Sequence, residues 1–495
     1  MSAEGTPRIR PVPLRLRLDP FTEDEIERIH SATLRVLERT GMHIRSPRLV
    51  KELERAGAIA DHEALRVRLP AEVVEEAIRL APLTYRLAGR DPDCDIVLDG
   101  ANSYLTLDGC ASDLVDLETG LRRSSTKADL ERATRLADAV PEITIIWQPV
   151  AAQDQLTAVQ PLHEMHAQLT NTSKHIQQMT AIDPHNARGI VEMARIAVGG
   201  ERALRERPIL SAFQCTLSPL TIDGDPLEAA LVYAEAGVPC GWVSMPLMTA
   251  TAPTTPAGTV VITNAELLGA MAVVQLLVPG APTFYGVCTS TMDLQSGSIA
   301  NAFGPEEQFF SFACGQLARR YGVPSELGTF GTGAKTQDWQ AGAQNMLSGL
   351  VSYLAGGDML CASGTIYAGS VFAFETVILD SELVDIIRFM NEGMSVTDED
   401  LAVDVIEDVG PGGHFLAHPH TLANMRRGWQ PRYFDRGTWE EWEAAGRPSP
   451  RDRANERARQ LVAEHVPLPL DNGVEEQLLE VIETHRKEAE GADHG

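Results

Sequence analysis

Basic residues, paired cysteines and long apolar runs are what this chain is short of. Lysine and arginine number 42 against 69 aspartates and glutamates, a formal net charge of −27 over 495 residues. Such a field repels phosphate backbones and anionic lipid, so neither nucleic acid nor a membrane is an expected partner, whereas a cationic ligand is concentrated. The seven cysteines (Cys94, Cys110, Cys215, Cys240, Cys288, Cys314, Cys361) fall apart from one another with no CxxC spacing. An odd, scattered set predicts reduced, mostly buried thiols, with no disulfide framework and no structural zinc. No segment approaches about 18 unbroken apolar residues, and the basic, proline-bearing N-terminus lacks the apolar core of a signal peptide. The expected location is cytoplasmic. Also missing are GxGxxG, GxxxxGK[ST] and HExxH motifs and any Ser/His/Asp ordering, which removes the usual signatures of nucleotide binding and hydrolysis.

What is present is a repeated rhythm. Thr22 to Glu25 form a capping box ahead of an amphipathic helix that stops at Gly41, and two further helices are expected around Arg48–Ala56 and Pro70–Leu80. From Leu83 to Arg123, short apolar runs broken by Gly, Asp and Asn predict antiparallel hairpins. From Ser125 onward, helix and strand alternate. Three helix exits share a glycine followed by a proline just before the strand: Gly237-Val-Pro239, Pro279-Gly280-Ala-Pro282 and Gly322-Val-Pro324. The glycine ends the helix and the proline forces extended chain after it. With Phe372–Leu379 counted as the last, eight strands result, predicting an α/β fold, a closed (β/α)8 TIM barrel. An open doubly wound sheet is the alternative. The expected domains are an N-terminal α+β cap (1–125), the catalytic barrel (126–380) and a C-terminal helical extension (381–495).

Barrel enzymes carry their chemistry at the C-terminal ends of the strands. Those positions offer Trp147 and Gln148, Gln178, Gln214, Trp242, Tyr285, the turn from Thr329 through Gly331 to Gly333, Tyr367 and Glu375. The set is rich in aromatics, amides and hydroxyls and holds no convincing carboxylate pair for acid/base work. Trp147, Trp242, Tyr285 and Tyr367 would together make a cage for a quaternary ammonium, held by the ring faces; the same rings would also serve as ordinary core. Asp183-Pro-His185-Asn-Ala-Arg-Gly189 is similar to a cobalamin-binding signature but carries one residue too many and lacks the separate domain that signature needs. The His414, His418 and His420 run is broken by Pro419 and has no companion cysteine, so no metal site is expected.

Three separated segments carry a resemblance: LPAEVVEEAIRLAP with the following LAGRDP, then GTGAKTQDWQAG (331–342), and GGHFLAHPHTLANMRRGWQPRYFDR (412–436) with WEEWEAAGR after it. Over about residues 20–465 the chain resembles the trimethylamine methyltransferase family. The resemblance implies a barrel enzyme that moves a methyl group from a methylated amine to the cobalt of a corrinoid (cobalamin) held by a separate small protein, with no tightly bound cofactor of its own. Archaeal members that act on trimethylamine carry pyrrolysine near the 331–338 turn. Every residue here is ordinary, as in the pyrrolysine-free branch that includes a glycine betaine methyltransferase. A quaternary ammonium already bears the charge that makes its amine a good leaving group, so no special electrophile is needed. On this reading Thr332, Lys335 and Asp338 are the catalytic wall, with Thr329, Gly331 and Gly333 nearest the incoming cobalt. Trp147, Gln178, Trp242, Tyr285, Tyr367 and Glu375 hold a small cationic methylated amine of the glycine betaine type. A tertiary amine substrate, direct transfer to a folate and a betaine-binding protein without turnover remain alternatives, and a homo-oligomer is compatible with the long helical tail.

Overall fold

The computed structural model describes residues 8–109, 111–299, 304–328 and 330–492. Eight parallel strands close into a barrel: β1 (Asn102–Leu107), β2 (Ile143–Ile146), β3 (His175–Gln178), β4 (Leu210–Cys215), β5 (Cys240–Ser244), β6 (Tyr285–Val287), β7 (Ser325–Gly328) and β8 (Met359–Ser363), with β8 hydrogen-bonded back to β1. Each is followed by a helix of the outer ring: α1 (Lys127–Ala139), α2 (Gln160–Asn171), α3 (Pro184–Val198), α4 (Gly224–Ala236), α5 (Pro256–Leu277), α6 (Pro305–Tyr321), α7 (Trp339–Leu354) and α8 (Phe374–Glu392). The glycine-then-proline exits behave as read, with Gly237 and Gly322 in the left-handed region at φ 75° and 67°.

Two boundaries differ from the sequence expectation. The first barrel strand is Asn102–Leu107, inside the stretch given to the cap, and Phe372–Leu379 is no barrel strand. Val371–Ala373 pairs instead with Asp113–Val115 in a small sheet over the mouth, and the chain turns helical at Phe374. The strand beginning at Ser325 is therefore the seventh of the barrel. The reason is burial: Ser103 to Leu107 are buried on both faces, so β1 shows no polar/apolar alternation to separate it from the hairpins around it. In Phe374–Ile387 the buried positions Phe374, Val377, Ile378, Ser381, Val384 and Ile387 follow helical spacing.

The N-terminal segment closes the barrel from outside. Its helix Glu23–Arg39 carries the expected capping box, Thr22 with Glu25. With Ala71–Leu80 it lies on α5. That helix is long and apolar enough to cross a membrane, but 78% of its most apolar window is buried within the protein. Val12–Pro13 adds an antiparallel strand to β1 at the N-terminal end. Beyond α8, the helix Pro450–Glu464 packs on α8 and α1, and Val474–Ala492 packs on α3 and α2.

Candidate active site at the barrel mouth

Strand register settles which side chains face the lumen. Val243, Gly286, Glu326 and Met359 are successive register partners on β5 to β8 and share a face, as do Phe213 with Gly241 and Gly328 with Cys361. A Cβ on Gly241 would lie 2.4 Å from the Phe284 ring, so glycine is required where that ring crosses the lumen. Gln177 on β3 reaches across the barrel axis to Glu326 on the opposite strand, Nε2 donating to Oε2 at 3.3 Å.

Glu326 is 1% exposed and its second oxygen, Oε1, is buried with no hydrogen-bond partner among the described residues. Burial with an amide as neighbour, rather than a cation, pushes its carboxyl up to about 8, so it keeps its proton at neutral pH. Around it stand the thiols of Cys215 on β4, Cys361 on β8 and Cys288 just past β6. Cys215 and Cys288 remain accessible to solvent while walled by protein, the signature of a cavity lining. The other four described cysteines are buried, so the thiols are mostly buried as expected and these two are the exceptions. Desolvation drives both up to about 12, which leaves them neutral, soft and unsuited to nucleophilic attack. On the β2 to β4 side, Trp147 packs against Phe213 with ring centroids 4.9 Å apart, its indole Nε1 without a partner among the described residues. Asp108, at the end of β1, accepts from Gly109 N and Thr365 Oγ1, and burial raises it too. The lumen is thus lined by sulfur, aromatic rings, the protonated carboxyl of Glu326 and the buried Asp108.

The four-ring cage does not assemble. Trp242 and Tyr285 lie on the opposite parity to Val243 and Gly286 and point out into the helix layer, where Tyr285 Oη donates to Asn264 Oδ1 of α5 at 2.9 Å. Trp147 faces the lumen. Tyr367 sits on the rim, 41% exposed, with the Lys335 ammonium 5.0 Å and the Arg122 guanidinium 5.8 Å from its ring centre. Gln178 is one residue out of phase: it is buried behind the strand, donating to Thr180 Oγ1 and accepting from Ala181 N, while its neighbour Gln177 takes the lumen. Glu375 turns away to the C-terminal extension and pairs with Arg451 at 3.1 Å.

The 331–338 turn is a clasp. Thr332 Oγ1 donates to Gln344 Oε1 at 2.7 Å and accepts from Ala334 N. Lys335 Nζ donates to the Gly333 carbonyl, and Asp338 caps α7 by accepting from Gln340 N and Ala341 N. Tyr367 N and Ala368 N donate to the Ala334 and Thr332 carbonyls, locking this turn to the loop after β8. Thr332, Lys335 and Asp338 therefore hold the wall in place, Gly331 and Gly333 give it its path, and Thr329 lies outside the described residues. Phe330, Ala362, Tyr367 and Ala368 all take positive φ here, backbone strain concentrated at the β7 and β8 ends.

Glu326 and Gln177 escaped sequence reading because both lie within strands, below the strand-end positions. Their signal was a charged and an amide residue in otherwise apolar strands, which a buried parallel strand admits when the two meet.

Residues 6–491 match the profile of Trimethylamine methyltransferase (MTTB). The chain is 35% identical to the trimethylamine methyltransferase MttB of Desulfitobacterium hafniense (strain DSM 10664 / DCB-2), covering 94% of this chain and 93% of that one. It is 32% identical to the glycine betaine methyltransferase of Desulfitobacterium hafniense (strain Y51), covering 94% and 97%. Among solved structures it is similar to the monomethylamine methyltransferase MtmB of Methanosarcina barkeri, with 11% identity, a TM-score of 0.48, and 90% and 93% of the two chains covered. The chain belongs to the trimethylamine methyltransferase family.

Proposed function

We propose that this methyltransferase takes a methyl group from a quaternary amine of the glycine betaine type in the barrel lumen and passes it, in the cytoplasm, to the corrinoid of a separate protein. The observation that carries the reading is Glu326, a neutral carboxyl bridged to Gln177 whose second oxygen has no partner among the described residues, which also place no activated nucleophile beside it. As the methyl leaves, the ammonium loses its positive charge. A full carboxylate would hold the charged ground state more tightly than the transition state, whereas an uncharged carboxyl offers its dipole without that bias. Trp147 and Phe213 supply ring faces for the N-methyl groups. The corrinoid, when its carrier is docked, supplies the strongly nucleophilic cobalt that receives the methyl. What fits such a carrier is the open C-terminal face, whose β6 and β7 side is rimmed by exposed Leu294, Phe309 and Trp339.

Glu326 also supports a second reading, a tertiary amine. A neutral amine must gain a proton before it can leave, and a carboxyl that keeps its proton up to about 8 is suited to give it. One experiment separates the two: the protein is incubated with reduced cobalamin and either glycine betaine or trimethylamine, and Co(I) loss is followed by absorbance. On the quaternary reading, betaine is turned over and Glu326→Gln keeps most of that activity. On the tertiary reading, trimethylamine is turned over and the variant is inactive. Turnover of neither amine, with betaine bound in calorimetry, would make this a binding protein, and methylation of an added folate without cobalamin would overturn the corrinoid step.

A further inference from the structure

The Asp183-Pro-His185 sequence has no part in the barrel mouth. Asp183 caps α3 by accepting from Asn186 N at 2.8 Å, which leaves His185 in the first turn facing the C-terminal helix Val474–Ala492. There the His485 ring lies 4.5 Å from it, centroid to centroid, and Glu488 Oε2 is 3.9 Å from His185 Nδ1. One ligand atom from each of the three residues can be chosen so that all lie within 4.8 Å of one another.

The hydrogen bonds favour a metal-ready state. His485 Nδ1 lies 3.0 Å from the Val481 carbonyl, which can only accept, so Nδ1 carries the proton and Nε2 presents its lone pair. An imidazole oriented by a backbone carbonyl in this way is the usual outer support of a metal-bound histidine. His185 Nε2 is buried without a hydrogen-bond partner among the described residues. A Cβ on Gly189 of α3 would fall 2.9 Å from His485 Nε2, so glycine clears the space the ring enters. Along the docking face of the C-terminal helix, Val474, Leu478 and Ile482 are apolar, and the next positions in that stripe are His485 and Glu488.

We propose that His185, His485 and Glu488 bind a zinc-class divalent cation that fastens the C-terminal helix to α3. Two imidazoles and one carboxylate suit such an ion, with water in the fourth position. The half-exposed His185 and exposed Glu488 can swing the short distance needed to reach bonding range. The helix needs a fastening: its fully buried contacts are Leu478 and Ile482.

The test uses the full chain, freed of metal by a chelator and titrated with zinc chloride by calorimetry, with Co2+ absorption and amide exchange of 474–492 alongside. One equivalent binds, the Co2+ spectrum shows the intense bands of a low-coordinate nitrogen/oxygen site, and exchange in 474–492 slows. His185→Ala and His485→Ala each weaken binding by well over about 100-fold, beyond the 10- to 100-fold typical of outer-shell losses. Glu488→Gln, at an exposed position, weakens it about 10-fold with the melting profile of the metal-free protein unchanged. Absence of saturable zinc binding, or binding retained in the double histidine variant, would overturn the site.

Discussion

At Glu326 a carboxyl meets an amide across the barrel axis, and among the described residues no guanidinium or ammonium offsets its burial. The folded protein therefore holds this proton between the ordinary value of 4.5 and about 8, where the unfolded chain has lost it. The group's contribution to stability is full below 4.5 and is lost as pH rises through about 8. Relative to wild type, Glu326→Gln should gain melting temperature from pH 5 to about pH 8 and level off above it in scanning calorimetry; a gap independent of pH would mean the carboxyl is solvated. Trp147 and Trp242, indistinguishable as strand residues, part company in the fold. Trp147→Ala should weaken glycine betaine binding about tenfold, the loss of roughly one cation–π contact, measured by calorimetry. Trp242→Ala should leave that affinity unchanged and cost about 3–5 kcal/mol of stability, since its ring fills the helix layer.

Among the elements, three ring helices each send one buried carboxyl group to tie neighbouring elements together at the mouth. Glu164 of α2 accepts from Thr180 Oγ1 and Ala152 N, and Asp380 of α8 from Asn345 Nδ2, Ser363 Oγ and Gly364 N. Glu266 of α5 accepts from Thr216, Ser218 and Ser244 hydroxyls and from Leu220 N, all at 2.7–2.9 Å. Glu266→Ala leaves four donors without their acceptor and should cost about 3–5 kcal/mol, as breaking a buried charged network does; denaturant unfolding measures it. The far end of the barrel uses the opposite charge. The buried Lys174 Nζ donates to the Ala137, Val140 and Ile143 carbonyls at 2.7–2.8 Å, closing the C-terminus of α1. Lys174→Met should cost about 3 kcal/mol, roughly one per orphaned carbonyl, with thermal unfolding as the check.

Over the whole molecule, the N-terminal segment and the C-terminal extension are tied to the same part of the barrel. Arg10 reaches Glu142 at 3.0 Å, and Arg432 of the C-terminal extension reaches Glu142 and Glu382 at 3.4 Å and Asp385 at 3.2 Å. Glu142 and Glu382 are buried, but Arg432 is about a third exposed, so water screens part of the attraction. Arg432→Met should cost about 2 kcal/mol, below the full penalty of a stranded buried charge, and should loosen 432–434 in hydrogen exchange, because their backbone N–H groups also donate to Glu382.

Local pattern was enough for much of this: the Thr22–Glu25 capping box, the glycine–proline exits, the alternation that makes a (β/α)8 barrel and the segments that carry the family resemblance can each be read within a few residues, because caps, turns and periodicity are short-range physics. Whether Trp147 or Trp242 faces the lumen, whether Gln177 or Gln178 does, and that Asn102–Leu107 is the first strand were decided only when the sheet closed. A parallel strand buried on both faces carries no alternation to mark its inner side. The pair at the centre of the site joins residues 149 positions apart. Glu326 is an unremarkable acid in sequence, and it becomes a carboxyl that keeps its proton only because barrel closure removes its water and sets an amide in front of it.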